Sequence, residues 1–433
     1  MKFRRIAVVA FLILSTVGIT NFLSIRVVAP TYSQSYPAVV CPPTDSLVAS
    51  QVSTASTNTP FRKIAGKATV LSPIKTTRYV IKKDAILLDQ NGVTSVTWQS
   101  LSGIWAGASL CMAPQGDQWF VGGSADVTSK GRLFIVNSGL SEAIVDVEVW
   151  GENGVQSGKV LTVPANSSLR VALDSIAAGQ ALLAMRVTSR SGRVNAFLID
   201  ERGKGLQSLG GDLVAPDESP LTDFVISGIP HQIIKGKGSS HVLRILVPGS
   251  INANIRVDLI SSDGTFAPIG LDGRDVQQGR VVDVLLKPTI TATVFSLRIR
   301  SDQPVLAGVF SSLAVKGHKD FMWNSITPQL EPMTLAVKGL SPTLVFSGDS
   351  IRLVVSTRLI DGSVKKTTLK GSDVLVWKPP EKALSVSFSE IKSGVTGAGL
   401  ISSTNGVGTF PLILGSALTR AAVPLSNIGV INR

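Results

Sequence analysis

Few residues in this 433-residue chain could do chemistry, and they are widely scattered. There are three histidines, His231, His241 and His318, and no His-x-x-His or Glu-x-x-His spacing surrounds any of them. Such spacings would place two ligands or a base on one helix face. Single histidines separated this way are expected as ordinary surface or turn residues, with no metal site. Ser72-Pro73-Ile74-Lys75 and Ser363-Val364-Lys365-Lys366 match the Ser-x-x-Lys acyl-enzyme pattern. That pattern needs a helix start and companion motifs, and neither accompanies them. Asp117, Asp126, Asp212 and Asp217 lie near glycines and could offer oxygens to calcium, but no Asp-x-Asp-x-Asp run supports this, so turn aspartates are expected. The reading is no catalytic residue, no cofactor and no metal.

Two cysteines and one aromatic pair remain. Cys41 and Cys111 are the full cysteine complement. They are expected to form one bridge, since an exported chain meets oxidising conditions; two buried thiols are the alternative. Closing a loop of that length would stabilise by about 4 kcal/mol in the chain-entropy model. Trp119-Phe120 is expected to seal the start of a core; the alternative is an exposed surface-binding platform for sugar. Trp150 falls on the polar side of its strand and, like Trp98 and Trp105, is expected to cover the end of a sheet pair. Asn166-Ser167-Ser168 is a formal glycosylation sequon.

The elements that must carry these residues repeat. From Arg132 the chain offers strand-like runs at residues 132–137, 144–150, 168–173, 182–188 and 194–199, with a turn at Asn153-Gly154. A second set follows at 242–247, 255–260, 281–286, 294–300 and 305–310, with Asp263-Gly264 as its turn and a break at Asp302-Gln303-Pro304. A third has runs at 344–346, 351–360, 373–377, 384–388 and 395–401 around Asp361-Gly362. The three glycines, Gly154, Gly264 and Gly362, lie 110 and then 98 residues apart, and such a period decides architecture first. Val145, Val147 and Val149 alternate with Asp146 and Glu148, and Ile255, Val257 and Leu259 alternate with Arg256 and Asp258. A period of two with charges on one side is a sheet with one face in water. The expected fold is therefore mainly β, with tandem immunoglobulin-like antiparallel β-sandwich modules. Helix is scarce; residues 174–179 could make one turn.

Ahead of the repeats, Lys2, Arg4 and Arg5 precede an uncharged run from Ile6 to Ile25. Twenty residues span about 30 Å, a bilayer's hydrocarbon core, and the basic flank keeps the N-terminus cytoplasmic. An uncut transmembrane anchor is favoured; a signal peptide cleaved near Ala29 is the alternative, and both imply export. The expected layout is an anchor at 1–29, a Pro/Ser-rich stalk with a small β region at 30–110, and modules at 111–217, 218–330 and 331–433. Region 30–110 is read as having too little strand for a full sheet pair.

The formal charge of +13 sits at the ends. Residues 31–110 hold seven basic and three acidic residues, while 217–330 hold eleven and ten. A nucleic-acid binder would show a concentrated basic face with interleaved aromatics, so no nucleic-acid partner is expected.

Cys41-Pro42, Cys111 followed by Trp119-Phe120-Val121-Gly122-Gly123, the strand at 133–137, and Gly210-Gly211-Asp212 with Pro216 together resemble an actinobacterial family of exported proteins known only as a domain of unknown function. The resemblance implies a cell-envelope protein and supplies no ligand or catalytic residue. The expected function is a non-enzymatic, membrane-anchored extracellular scaffold or binding protein. Its expected partners are the membrane and an anionic cell-wall polymer or another envelope protein. The alternative is an envelope hydrolase or glycan-modifying enzyme with a site between modules.

Overall fold

Strict alternation of apolar and charged residues builds the sheets the sequence called for. Val145, Val147 and Val149 are at most 1% exposed, while the intervening charges face outward and pair across strands, as Asp146 does with Arg190. Ile255, Val257 and Leu259 repeat the arrangement, with Arg256 on Asp272 and Asp258 on Arg300. The computed structural model describes residues 33–35 and 38–419, apart from residues 68, 91, 235 and 416. The expected anchor at 1–29 lies outside the described residues. Among the described residues the one α-helix is Asp174–Ala177, and no helix is long and apolar enough to cross a membrane.

The first repeat consists of two sheets around one core. One sheet runs Asp117–Val121, Ala184–Ser191, Ala143–Gly151, with Gly154–Val155 and Lys159–Val163 on its far edge. The other runs Ser167–Ala172, Arg132–Asn137, Asn195–Lys204, Gln207–Val214. The second repeat follows the same order, starting from Leu221–Pro230 and ending on His318–Asn324. Its Val294–Val315 is one strand of 22 residues that serves both sheets. Residues 295–301 pair with Ala253–Ser261, and residues 306–311 pair with His241–Leu246. Asp302-Gln303-Pro304, expected as a break, is instead where the strand changes partners. A proline lacks the donor for a ladder, so it is tolerated where the ladder changes hands.

In the third repeat the fusion goes further. Thr343–Leu359 pairs with Thr396–Ser403 through residues 343–347 and with Ala383–Ser389 through residues 354–359. Val364–Trp377 runs beside it along both parts.

The region expected to be a stalk is a fourth copy. Ala38–Cys41, Ile86–Asp89, Thr59–Lys63, Ser72–Ile74 form one sheet, and Arg78–Ile81, Ala49–Ser53, Val96–Leu101, Trp105–Leu110 form the other. Val39, Val52, Ile74, Ile81, Ile86 and Leu88 fill the space between them. Strand for strand, this is the order of the first repeat. The expectation of too little strand fails because these strands are only three to six residues long and are rich in Ser, Thr and Pro.

Residues 35–417 form one compact unit rather than beads on a tether. The last strand of each copy (Trp105–Leu110, Gln207–Val214, His318–Asn324 and Gly406–Pro411) packs against its two neighbours in a closed cycle. The apolar clusters cross each joint. Trp105 and Leu213 share one with Phe134 and Phe197, Val214 joins Phe321 and Trp323, Met322 joins Val407, and Ala108 and Leu110 join Phe410. The ring closes by strand donation, because Val93–Thr94 pairs in parallel with Met333–Ala336 of the third repeat. Among the described residues, 33, 34, 418 and 419 belong to a second unit.

Candidate functional site: a basic groove on the amino-terminal module

Lys82 and Lys83 follow directly on the strand Arg78–Ile81, and Lys63 ends the neighbouring Thr59–Lys63. The first of these strands belongs to one sheet of the amino-terminal module and the second to the other, so the three ammonium groups collect where the sheets part. With Tyr79, Val80, Ile81, Asp84 and Ile86 they line an open groove of about 490 Å³. All three lysines are exposed, and none is ion-paired among the described residues. Three cations thus face one aspartate. Ile81 and Ile86 root the floor in the module's core, against which Phe61 and Tyr79 also pack. Their rings lie 4.7 Å apart, and burial raises the Tyr79 phenol above its usual range. Such a site can hold an extended anion by several weak, screened contacts.

In two other clefts an arginine is already paired with carboxylates. One, of about 390 Å³, lies between the amino-terminal module and the first repeat. In it the buried Arg132 bridges Asp45 at 2.5 Å and Glu201 at 2.9 Å. The other, of about 660 Å³, lies between the second and third repeats, where Arg298 holds Asp223 in a two-pronged pair at 3.0 and 2.8 Å.

Cys41 and Cys111 are joined in a disulfide that seals the amino-terminal module. Trp119 and Phe120 are not a surface platform. Phe120 is fully buried in the core of the first repeat, while Trp119, on the opposite face of the same strand, is 5% exposed and packs into the core of the second. Trp150 stacks on Trp119 at 5.3 Å, and the Arg186 guanidinium lies over the Trp119 ring at 4.9 Å. The pair therefore plugs a joint between repeats. Trp105 is likewise fully buried at a joint, whereas Trp98 is partly buried against the core of the third repeat. Asn166 is buried and donates to the Gly66 carbonyl at 2.8 Å.

The four aspartates do not gather. Asp117 grips Arg186, and Asp126 caps its own turn through Val127 N–H at 2.7 Å. Asp212 and Asp217 are buried and accept Trp323 N–H at 2.7 Å and Ile326 N–H at 3.1 Å. Burial pushes both carboxyls well above the usual range. Ser72 and Lys75, and Ser363 and Lys366, lie on turns and strands without a helix. The histidines depart most from expectation. His231 and His241 are buried and in contact, with Nδ1 of the first 3.0 Å from Nε2 of the second. His318 is half-buried at the start of another strand.

The sheet pairs and their closed arrangement define an antiparallel β protein assembled from four copies of one unit. The chain belongs to a family of unknown function, DUF5719, whose model matches residues 85–373. No curated protein matches it. Among solved structures, the crystal structure of Thermotoga maritima 1070 is 17% identical, covering 25% of this chain and 93% of that one, with a TM-score of 0.17. The Streptomyces avermitilis α-L-rhamnosidase complexed with L-rhamnose is 8% identical, covering 90% of this chain and 55% of that one, also with a TM-score of 0.17.

Proposed function

We propose that this chain is a non-enzymatic scaffold or binding protein of a bacterial cell envelope. An apolar N-terminal segment tethers it to the membrane, its bulk lies outside, and it engages an anionic wall polymer. On this reading its modules are immunoglobulin-like sandwiches of a secreted, actinobacterial type. The observation that carries it is the groove in which Lys63, Lys82 and Lys83 stand without a carboxylate partner among the described residues. The enzyme alternative would use the cleft in which Asp45 and Glu201 flank Arg132. There both carboxylates are bound to the one Arg132 guanidinium.

The test is binding of linear polyphosphate, as a model polyanion, across a salt series. Wild-type protein should bind with an affinity that falls steeply with salt, and the K63Q/K82Q/K83Q variant should bind at least tenfold more weakly with a flatter slope. A K365Q/K366Q control should bind as wild type does. No binding by wild-type protein, or equal binding by the triple variant, would refute the reading.

A further inference from the structure

Three polar atoms meet beneath a small exposed hairpin of the second repeat. Nδ1 of His231 is 3.0 Å from Nε2 of His241. The Ser239 hydroxyl lies 3.1 Å from that Nε2 and 3.4 Å from that Nδ1. A cation about 2.0–2.1 Å from each of two imidazole nitrogens in tetrahedral geometry holds them roughly 3.3 Å apart, and the edges of this triangle bracket that value. We propose that His231 Nδ1, His241 Nε2 and Ser239 Oγ form a zinc-class metal site, with a fourth position left for water or an exogenous ligand.

The His241 ring is held as a ligand needs. His241 turns its other nitrogen, Nδ1, to the Ser311 hydroxyl at 2.8 Å, the outer-shell hydrogen bond that fixes tautomer and ring plane in metal-binding histidines. Strand register sets this, because His241 stands directly opposite Ser311. Phe295 meets the His241 ring edge-on at 5.1 Å and the His231 ring at 6.2 Å, so an apolar wall backs the donors. Ser239 also accepts Gln232 N–H at 3.0 Å, which aims its oxygen.

Access is through the hairpin. Ile233–Ile234 pairs with Lys237–Gly238, all exposed, and Gly238 lies against the His231 ring, where a Cβ would come within 2.7 Å of Cε1. Only glycine lets this arm cover the donors.

The test is equilibrium dialysis of the full chain against Zn²⁺, with metal quantified afterwards, and against Co²⁺, with the visible spectrum recorded. Wild-type protein should retain one equivalent of zinc and give a tetrahedral cobalt spectrum. H231Q and H241Q should each lose at least 90% of it, S239A should bind at least tenfold more weakly, and H318Q should be unchanged. X-ray absorption of zinc-loaded wild-type protein should show two imidazole ligands, a readout that does not depend on how the variants fold. Retention near background by wild-type protein, equal retention by H231Q and H241Q, or fewer than two imidazoles at the metal would overturn the proposal.

Discussion

The carboxylate of Asp320 accepts the backbone N–H of Val407 at 3.0 Å, joining the last strand of the second repeat to that of the third. The same side chain accepts Gly211 N–H of the first repeat at 3.0 Å and Ala106 N–H of the amino-terminal module at 3.2 Å. One buried acid thus ties all four copies at the centre of the ring. Gly210 is shaped around it, since a Cβ there would stand 2.5 Å from Asp320 Oδ1.

Removing that carboxylate orphans three buried donors, each worth about 1–3 kcal/mol of desolvation penalty. D320A should lose about 3 kcal/mol or more of unfolding free energy in a denaturant titration. A loss under about 1 kcal/mol would mean that the ring is not held there.

Stability should also carry two opposed pH dependences. Burial raises Asp320 from 3.8 to about 6. Between those values the native chain keeps a proton that the unfolded chain has lost, so this group's contribution falls as pH rises through the window. His241 runs the other way. Burial, with the His231 charge second, lowers it from 6.5 to about 3. The unfolded chain therefore takes that proton first, and the contribution is lost as pH falls from 6.5 towards 3. Taken from pH 7 to pH 5 without added metal, H241Q should gain thermal stability relative to wild type, and D320N should lose it more steeply. Parallel profiles for all three proteins would contradict both assignments.

Trp119 fills a joint rather than a surface. Truncating a buried tryptophan to alanine costs about 3–5 kcal/mol, so W119A should unfold at markedly lower denaturant. A variant as stable as wild type would return Trp119 to the surface.

The disulfide should matter less to architecture than its loop length suggests. Reduction, or C41S with C111S, should cost about 2–4 kcal/mol. Yet residues 42–110 should stay docked, because their strands are wedged between the first and third repeats and Arg62 donates to the Ser138 carbonyl at 2.7 Å. Trypsin should cleave after Arg62 no faster in reduced native protein than in oxidised; rapid cleavage there would show a released lobe.

Strands of residues 132–401 were legible because many are long, alternate apolar with charged residues and turn on Asn-Gly or Asp-Gly. The amino-terminal copy was not, because Thr59-Pro60-Phe61-Arg62-Lys63 shows no period of two. Ring closure was hidden for a related reason. Gly107, Gly210, Gly211, Gly406 and Gly408 let strands from different copies approach closely, and nothing in the sequence marks a glycine as that kind of contact. The histidine contact was hidden by the hairpin that folds His231 back onto His241, ten residues on. In the groove the basic excess of residues 31–110 was visible, but not which lysines converge.

Hydrogen exchange with and without linear polyphosphate tests the groove most directly. The account predicts slowing at residues 59–63 and 78–86 and none at the Arg132 cleft or across the third repeat. Slowing centred on Asp45, Arg132 and Glu201, or no change at Tyr79 to Lys83, would contradict it.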